Sequence, residues 1–299
     1  MYIVTGGCGF IGSHLVEELI ERENKVVVID NLHTGNVENI RHLLDKTRLI
    51  KGDASAITEV SNIVEGVFHL GIYSSSPMYK KDPSLVSKVI EDMIKILEFC
   101  KKRRCKLVYA STSSIYNGNP TPWREDMTIR VTDYYTEARY YCERLARLYE
   151  ELHGVKSIGL RLFSIYGERE EFKGKYANVL TQMIWAKLKG KKFVIYGDGN
   201  QTRDLVYVKD AVRAFILAME KDVTGIFNVG SGKSYSFNEM AKMVGIDVEY
   251  VENPIKNYVY HTLADTKKAE KELGFKARVS VKEGLRRCLE YYKKLFSSR

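Results

Sequence analysis

The stretch Thr5-Gly6-Gly7-Cys8-Gly9-Phe10-Ile11-Gly12-Ser13-His14-Leu15 constrains this chain more than any other. An apolar run at 2–5 precedes it, and 13–22 carries Leu15, Leu19 and Ile20 at helical spacing. Gly6, Gly9 and Gly12 therefore stand where a strand turns into a helix. Glycines there permit a tight turn and a close approach of backbone to a pyrophosphate, and the helix start offers free N–H groups to the same anion. A tight turn without a ligand is the alternative. Asp30 ends a second apolar run, 25–30, at the distance of roughly 20 residues where a carboxylate bonds an adenosine ribose. Such a carboxylate accepts the ribose hydroxyls and repels a 2′-phosphate, which favours NAD over NADP. Asp53, after the next strand, reads as an adenine contact or as a strand-end cap.

Further strands are expected at 48–51, 66–70, 106–111 and 157–162, and helices at 84–102 and 133–153. This alternation is that of an α/β, doubly wound parallel sheet. Ligands bind such sheets beyond the carboxyl ends of the strands, where Ser111-Thr112-Ser113-Ser114 falls. After Gly167 the rhythm changes. A helix is expected at 174–190, a strand at 193–196, a turn at Gly197-Asp198-Gly199-Asn200 and helices at 209–221, 236–244 and 281–296. With no repeat and no linker, the expected layout is an NAD-binding domain over 1–166, completed by parts of 205–230. Residues 167–299 then form mainly a smaller substrate-binding lobe.

Length and charge narrow the function classes. The 299 residues suffice for one large α/β unit with a smaller partner, and 44% hydrophobic residues is ordinary for a globular chain. No apolar run approaches the ~20 residues that span a bilayer, so no membrane role is expected. The N-terminus shows no basic leader, and a cytoplasmic protein is expected. Five cysteines, without zinc or redox spacing, read as scattered thiols, with no metal site. The net charge of +9 comes partly from runs such as Lys101-Lys102-Arg103-Arg104 at helix ends, where cations suit the dipole. It fits a diphosphate substrate and needs no nucleic acid.

Tyr135 and Arg139 lie four apart near the start of a helix, so their side chains share a face. A tyrosine beside a cation can serve as an acid/base near neutrality, and a hydroxyl such as that of Thr112 can hold the substrate oxygen. On spacing alone, Tyr134, Tyr135, Tyr140 and Tyr141 read equally as packing aromatics.

Taken together with His69-Leu70-Gly71, Ser111-Thr112-Ser113-Ser114-Ile115-Tyr116, Arg161-Leu162-Phe163-Ser164-Ile165-Tyr166-Gly167, Gly197-Asp198-Gly199-Asn200-Gln201-Thr202-Arg203-Asp204 and Phe227-Asn228-Val229-Gly230, these motifs resemble a known family along the whole chain. It is the extended short-chain dehydrogenase/reductase family, in the branch of NAD-dependent nucleotide-sugar epimerases and dehydratases. The resemblance implies a Rossmann-type sheet, NAD as cofactor, a nucleotide-diphosphate sugar as substrate, and a homodimer formed through two helices per subunit. It makes Tyr135 the catalytic tyrosine, Thr112 the catalytic hydroxyl and Arg203 the grip on the sugar nucleotide's diphosphate. It places cofactor contacts at Gly6, Gly9, Phe10, Ile11, Gly12, Asp30, Asn31, Thr34, Gly35, Asp53, Ala54, Leu70, Gly71, Tyr135 and Arg139. It places substrate contacts at Ser74, Thr112, Ser113, Ser164, Asn178, Arg203 and Lys256.

Departures from the family pattern sharpen the expectation. The family's motif is Tyr-xxx-Lys, whose lysine bonds the nicotinamide ribose; here Arg139 brings a bulkier, planar, permanently charged group. A common asparagine is replaced by Ser164, another by Val89 or Ile90, and Lys256 stands nearest to a second diphosphate arginine. Dehydrating relatives carry an Asp-Glu pair after the catalytic threonine, and decarboxylating ones tend to carry a glutamate at the second position. Ser113 and Ser114 stand there, with no useful acid/base pKa. A 4-epimerase of the UDP-glucose/UDP-galactose type, working by reversible oxidation at C4, needs no more than one acid/base. Decarboxylase, dehydratase and reductase chemistry, and a non-catalytic NAD-binding regulator suggested by Arg139, are the alternatives.

Overall fold

The computed structural model describes residues 1–297. β1 (Tyr2–Thr5), α1 (Phe10–Glu21), β2 (Val26–Asp30), β3 (Thr47–Lys51) and β4 (Gly66–His69) open the chain. Next come α2 (Ser76–Lys81), α3 (Leu85–Arg103), β5 (Lys106–Thr112), α4 (Tyr134–His153), β6 (Ser157–Leu162) and β7 (Ser164–Tyr166). The remainder comprises α5 (Val179–Leu188), β8 (Phe193–Tyr196), β9 (Thr202–Tyr207), α6 (Val208–Glu220), β10 (Gly225–Val229), β11 (Ser234–Ser236), α7 (Phe237–Val244), β12 (Val248–Val251) and α8 (Val281–Ser297).

Seven strands pair in parallel in the order β10-β6-β5-β4-β1-β2-β3. The Val-Val-Val-Ile-Asp run of β2 is buried throughout, as a β-branched strand covered on both faces should be. One face packs Leu15 and Val16 of α1 with Phe215 of α6. The other packs Met93, Ile96 and Leu97 of α3 with Ala138 and Cys142 of α4. Strand order reverses between β1 and β4, and the chain leaves the two strands in opposite directions. That opens the crevice in which doubly wound sheets bind ligands.

Two small sheets, β11-β9-β7 and the parallel pair β12-β8, stand beyond that crevice. β10 belongs to the main sheet although 225–229 follows Gly167, so the chain crosses back after forming β9. The helix expected over 174–190 is interrupted. A 3-10 turn covers Glu171–Tyr176, and Gly174 within it takes φ +52. A left-handed residue ends helical hydrogen bonding, and α5 restarts at Val179, capped by Asn178. Among the described residues no helix is long and apolar enough to cross a membrane, and no cluster of ligating side chains could hold a metal ion. All five cysteines are free and buried.

Candidate active site

A single cleft runs along the carboxyl ends of the strands and gathers most of the residues named from the sequence. Its dinucleotide side is lined by Gly6, Gly9, Phe10, Ile11, Gly12, Asp30, Asn31, Thr34, Gly35, Leu70 and Gly71. Gly6 takes φ +70, and a Cβ there would stand 2.6 Å from the Gly71 nitrogen, so only glycine lets β1 leave this close to the end of β4. A Cβ on Gly12 would stand 2.0 Å from the Gly6 carbonyl oxygen, so this glycine brings α1 against the turn. Thr5 Oγ1 accepts from the Gly71 N–H at 3.1 Å and shares a 2.7 Å hydrogen bond with His69 Nδ1, tying the two strand ends together. Burial, reinforced by the charge of Arg139, pushes the pKa of His69 down to about 3, so its imidazole is neutral.

Asp30 is held in place by backbone. Its carboxylate accepts from Cys8 N–H at 2.9 Å and from Leu32 N–H at 2.8 Å. Burial raises its pKa while those two bonds oppose the rise. Each carboxylate oxygen has accepting capacity left, as a ribose contact requires, and Asp30 lines the cleft. These features fit a dinucleotide: a glycine turn closed against the sheet, the free N–H groups of α1 and a fixed carboxylate at the end of β2.

Asp53 and Ala54 lie outside the lining. Asp53 accepts from Asn31 Nδ2 at 2.8 Å and pairs with Lys88 at 3.0 Å, while Ala54 is buried against the core. Asp53 therefore acts as a brace for Asn31, which does line the cleft.

At the middle of the cleft Thr112, Ser113, Ser114, Tyr135 and Arg139 converge with Ser74 and Ser164. Tyr135 sits in the first turn of α4, and that turn is fixed by a capping box. Asp133 accepts from Thr136 N–H at 2.8 Å, and Ser76 of α2 bonds the same carboxylate. The Arg139 guanidinium lies 5.3 Å from the centroid of the Tyr135 ring. The sequence placed it as a cofactor contact, yet both its Nη atoms are spent on backbone. Nη1 donates to the Ala110 carbonyl at 2.9 Å and Nη2 to the Tyr73 carbonyl at 3.1 Å, which clamps β5 to the loop after β4. Thr112 Oγ1 accepts from Ser114 N–H at 3.1 Å, which leaves its own O–H to donate. Directly beneath, Ser111 bonds Glu143, and Glu143 forms a buried 2.7 Å ion pair with Arg161.

The far side is assembled from distant segments. Asn178, Arg203, Val259 and Thr262 line it. The Arg203 guanidinium lies between the rings of Phe237 and Tyr258, 5.2 and 5.6 Å from their centroids, and donates to the Thr202 carbonyl at 2.8 Å. Buried Asp204 organises the loops around it by accepting from the N–H groups of Ser231, Gly232 and Ala264. Asn178 spends its side chain on the backbone, accepting from Leu180 N–H and donating to the Ile165 carbonyl. Lys256 is displaced from its expected role: it lies on an exposed turn outside the cleft lining.

Sequence reading passed over His33 and Tyr73, whose rings meet edge to face at 4.8 Å, and Glu170, Lys173 and Tyr176. All five line the cleft. No local motif marks them; an unusual ionic pair at i, i+3 beside Gly174 was the one available signal for Glu170 and Lys173.

Comparison with known proteins agrees with this geometry. Residues 2–230 match the family model described as the NAD dependent epimerase/dehydratase family. A Methanocaldococcus jannaschii protein provisionally named a UDP-glucose 4-epimerase is 35% identical, over 98% of each chain. A UDP-N-acetyl-alpha-D-glucosaminuronate decarboxylase from Bacillus cytotoxicus is 31% identical, again over 98% of each chain. The crystal structure of a UDP-glucose 4-epimerase from Thermotoga maritima with UDP-glucose superposes with a TM-score of 0.91 at 32% identity, covering 99% of both chains. The fold, the glycine turn at the strand reversal and the full-length match carry one conclusion: this chain belongs to the NAD-dependent epimerase/dehydratase family.

Proposed function

We propose that this chain is an NAD-dependent epimerase that inverts C4 of a UDP-sugar of the glucose/galactose type. The carrying observation is the composition of the cleft around Tyr135. Thr112, Ser113 and Ser114 surround it with hydroxyls. Among the described residues that line the cleft, the carboxylates are Asp30 and Glu170. Asp30 stands at the end of β2, and Glu170 is committed to Lys173, Asn178 and Thr181. A dehydratase needs a further acid and base beside the sugar; an epimerase needs one group that takes a proton and returns it.

Gly6, Gly9, Phe10, Ile11, Gly12 and Asp30 would hold the cofactor, with Thr34, Gly35, Leu70 and Gly71 around it. When bound, NAD supplies a reversible acceptor for hydride. Tyr135 removes the proton from the sugar 4-hydroxyl as C4 is oxidised, and returns it once the 4-keto sugar has turned over in the cleft. Thr112 donates to the same oxygen and fixes its distance from Tyr135. The Arg139 guanidinium stands beside the ring, and its two bonds keep β5 and Thr112 in place. Arg203 meets the diphosphate, and Ser74, Ser113, Ser164 and Asn178 bound the sugar's space.

A homodimer through α3 and α4 accords with the apolar groups these helices leave exposed, Ile94, Leu148 and Leu152. The decisive experiment is NMR and mass analysis of UDP-, GDP-, CDP- and dTDP-sugars incubated with the pure protein. Inversion at C4 without a mass change is expected for a UDP-sugar. Loss of carbon dioxide or water would replace this reading with a decarboxylase or a dehydratase. NAD binding without turnover of any sugar would make the chain a regulator.

A further inference from the structure

We propose that Lys173 is a diphosphate-binding residue of the cleft, carried to the start of α1 by the segment 168–178. The cations that line the cleft among the described residues are Arg139, Lys173 and Arg203. Both Nη atoms of Arg139 are committed to backbone carbonyls at the redox end. Lys256, the sequence's candidate for a second phosphate contact, lies outside. A cleft that takes a dinucleotide and a sugar nucleotide must balance two diphosphates, and Arg203 serves one end only.

Lys173 fits the vacancy by position and by chemistry. Its ammonium lies 5.4 Å from the ring centroid of Phe10, the first residue of α1, where free N–H groups already favour an anion. One donor goes to Glu170 Oε1 at 2.9 Å, and an ammonium has three. The anchor is rigid, because fully buried Glu170 also accepts from Asn178 N–H at 2.8 Å and Thr181 Oγ1 at 2.6 Å. The segment is itself strapped to α1. Arg169 pairs with Glu17 at 2.6 Å, and the Glu168 carbonyl contacts His14 Nε2 at 3.0 Å. Gly174 at φ +52 lets the chain turn sharply just past the lysine. A lysine held only for an ion pair could face solvent; this one faces the cleft.

Position favours the dinucleotide's pyrophosphate, and the sugar nucleotide's diphosphate is the second source; the latter rests on the proposed function. The test uses the full chain stripped of nucleotide and titrated separately with ADP-ribose and UDP by calorimetry. Adenosine and uridine serve as controls without phosphate. Lys173→Met keeps the stem over Phe10 and removes the charge. Glu170→Gln with Lys173→Met also removes the buried carboxylate, so that an unpaired charge does not confuse the result. Both variants should bind ADP-ribose or UDP about tenfold more weakly, as expected for a lost charge-assisted bond, with the controls unchanged. Lys173→Arg should bind nearly as the parent does. A loss confined to ADP-ribose assigns the dinucleotide, and a loss confined to UDP assigns the sugar nucleotide. Parent-like affinity for both probes in the double variant would overturn the role of Lys173. A parent protein that binds ADP-ribose but not UDP would instead overturn the UDP-sugar reading and leave the dinucleotide arm to decide on Lys173.

Discussion

On the dinucleotide side of the cleft, Gly6, Gly9, Phe10, Ile11 and Gly12 come from one continuous turn and act through backbone. On the opposite side, Ser164, Asn178, Arg203 and Thr262 come from β7, the cap of α5, β9 and the stretch before Ala264, and reach the cleft from separate segments. The first side is specified by local conformation: each critical glycine is defined by what its missing Cβ would strike. The second depends on how several loops are gathered, and Asp204 does the gathering through N–H groups far apart in the chain. A local turn tolerates little change but can be recognised from a short motif. A gathered site can exchange its members while keeping its shape, and the replacement of an asparagine by Ser164 and the displacement of Lys256 show this freedom.

The largest expected effect lies between the two sides. Tyr135→Phe should lower turnover by about 10²–10⁴-fold while leaving NAD bound, since only the phenolic oxygen is lost. Parent-level turnover would send the proton route elsewhere. On the dinucleotide side, Gly12→Ala should strip NAD from the purified protein. It should also cost about 1–3 kcal/mol in denaturant unfolding, because the new Cβ meets backbone at 2.0 Å. Normal NAD content in that variant would break the contrast drawn here.

On the gathered side, Arg203→Ala should weaken UDP by roughly tenfold, as measured by calorimetry, and leave ADP-ribose unaffected. Equal losses for both would mean that the sides are not separable. A smaller effect is expected for Arg139→Lys. It restores the family's usual residue, but one ammonium cannot span the Ala110 and Tyr73 carbonyls as the planar guanidinium does. Thermal unfolding should show a loss of about 1 kcal/mol, with turnover reduced less than in Tyr135→Phe.

The smallest effect concerns the strap. Burial raises the pKa of Glu17, but hydrogen bonds from Arg169 and Lys209 outweigh it and bring the carboxyl from 4.5 to about 2. A depressed carboxylate pKa stabilises the fold above 4.5, and that contribution is lost as pH falls from 4.5 toward 2. Glu17→Gln should therefore flatten the melting-temperature curve in that window and leave it unchanged in slope near neutrality.

The sequence by itself determined the parts whose cause is local. Glycines at the end of an apolar run, a carboxylate ending β2 and the buried runs of β1, β2 and β6 announce themselves, because conformation and burial there follow from neighbouring residues. The meeting of Tyr135 and Arg139 was legible for the same reason, since they share one helical face. Local pattern did not reveal that Arg139 would spend its donors on Ala110 and Tyr73, that Asp53 would brace Asn31, or that Glu170 and Lys173 would reach the start of α1. Nor did it place Lys256 outside the cleft. Each of these depends on a partner far away in the chain. Which distant groups meet is fixed by the packing of whole elements, and a hydrogen bond or ion pair is decided within a few ångströms that periodicity does not encode.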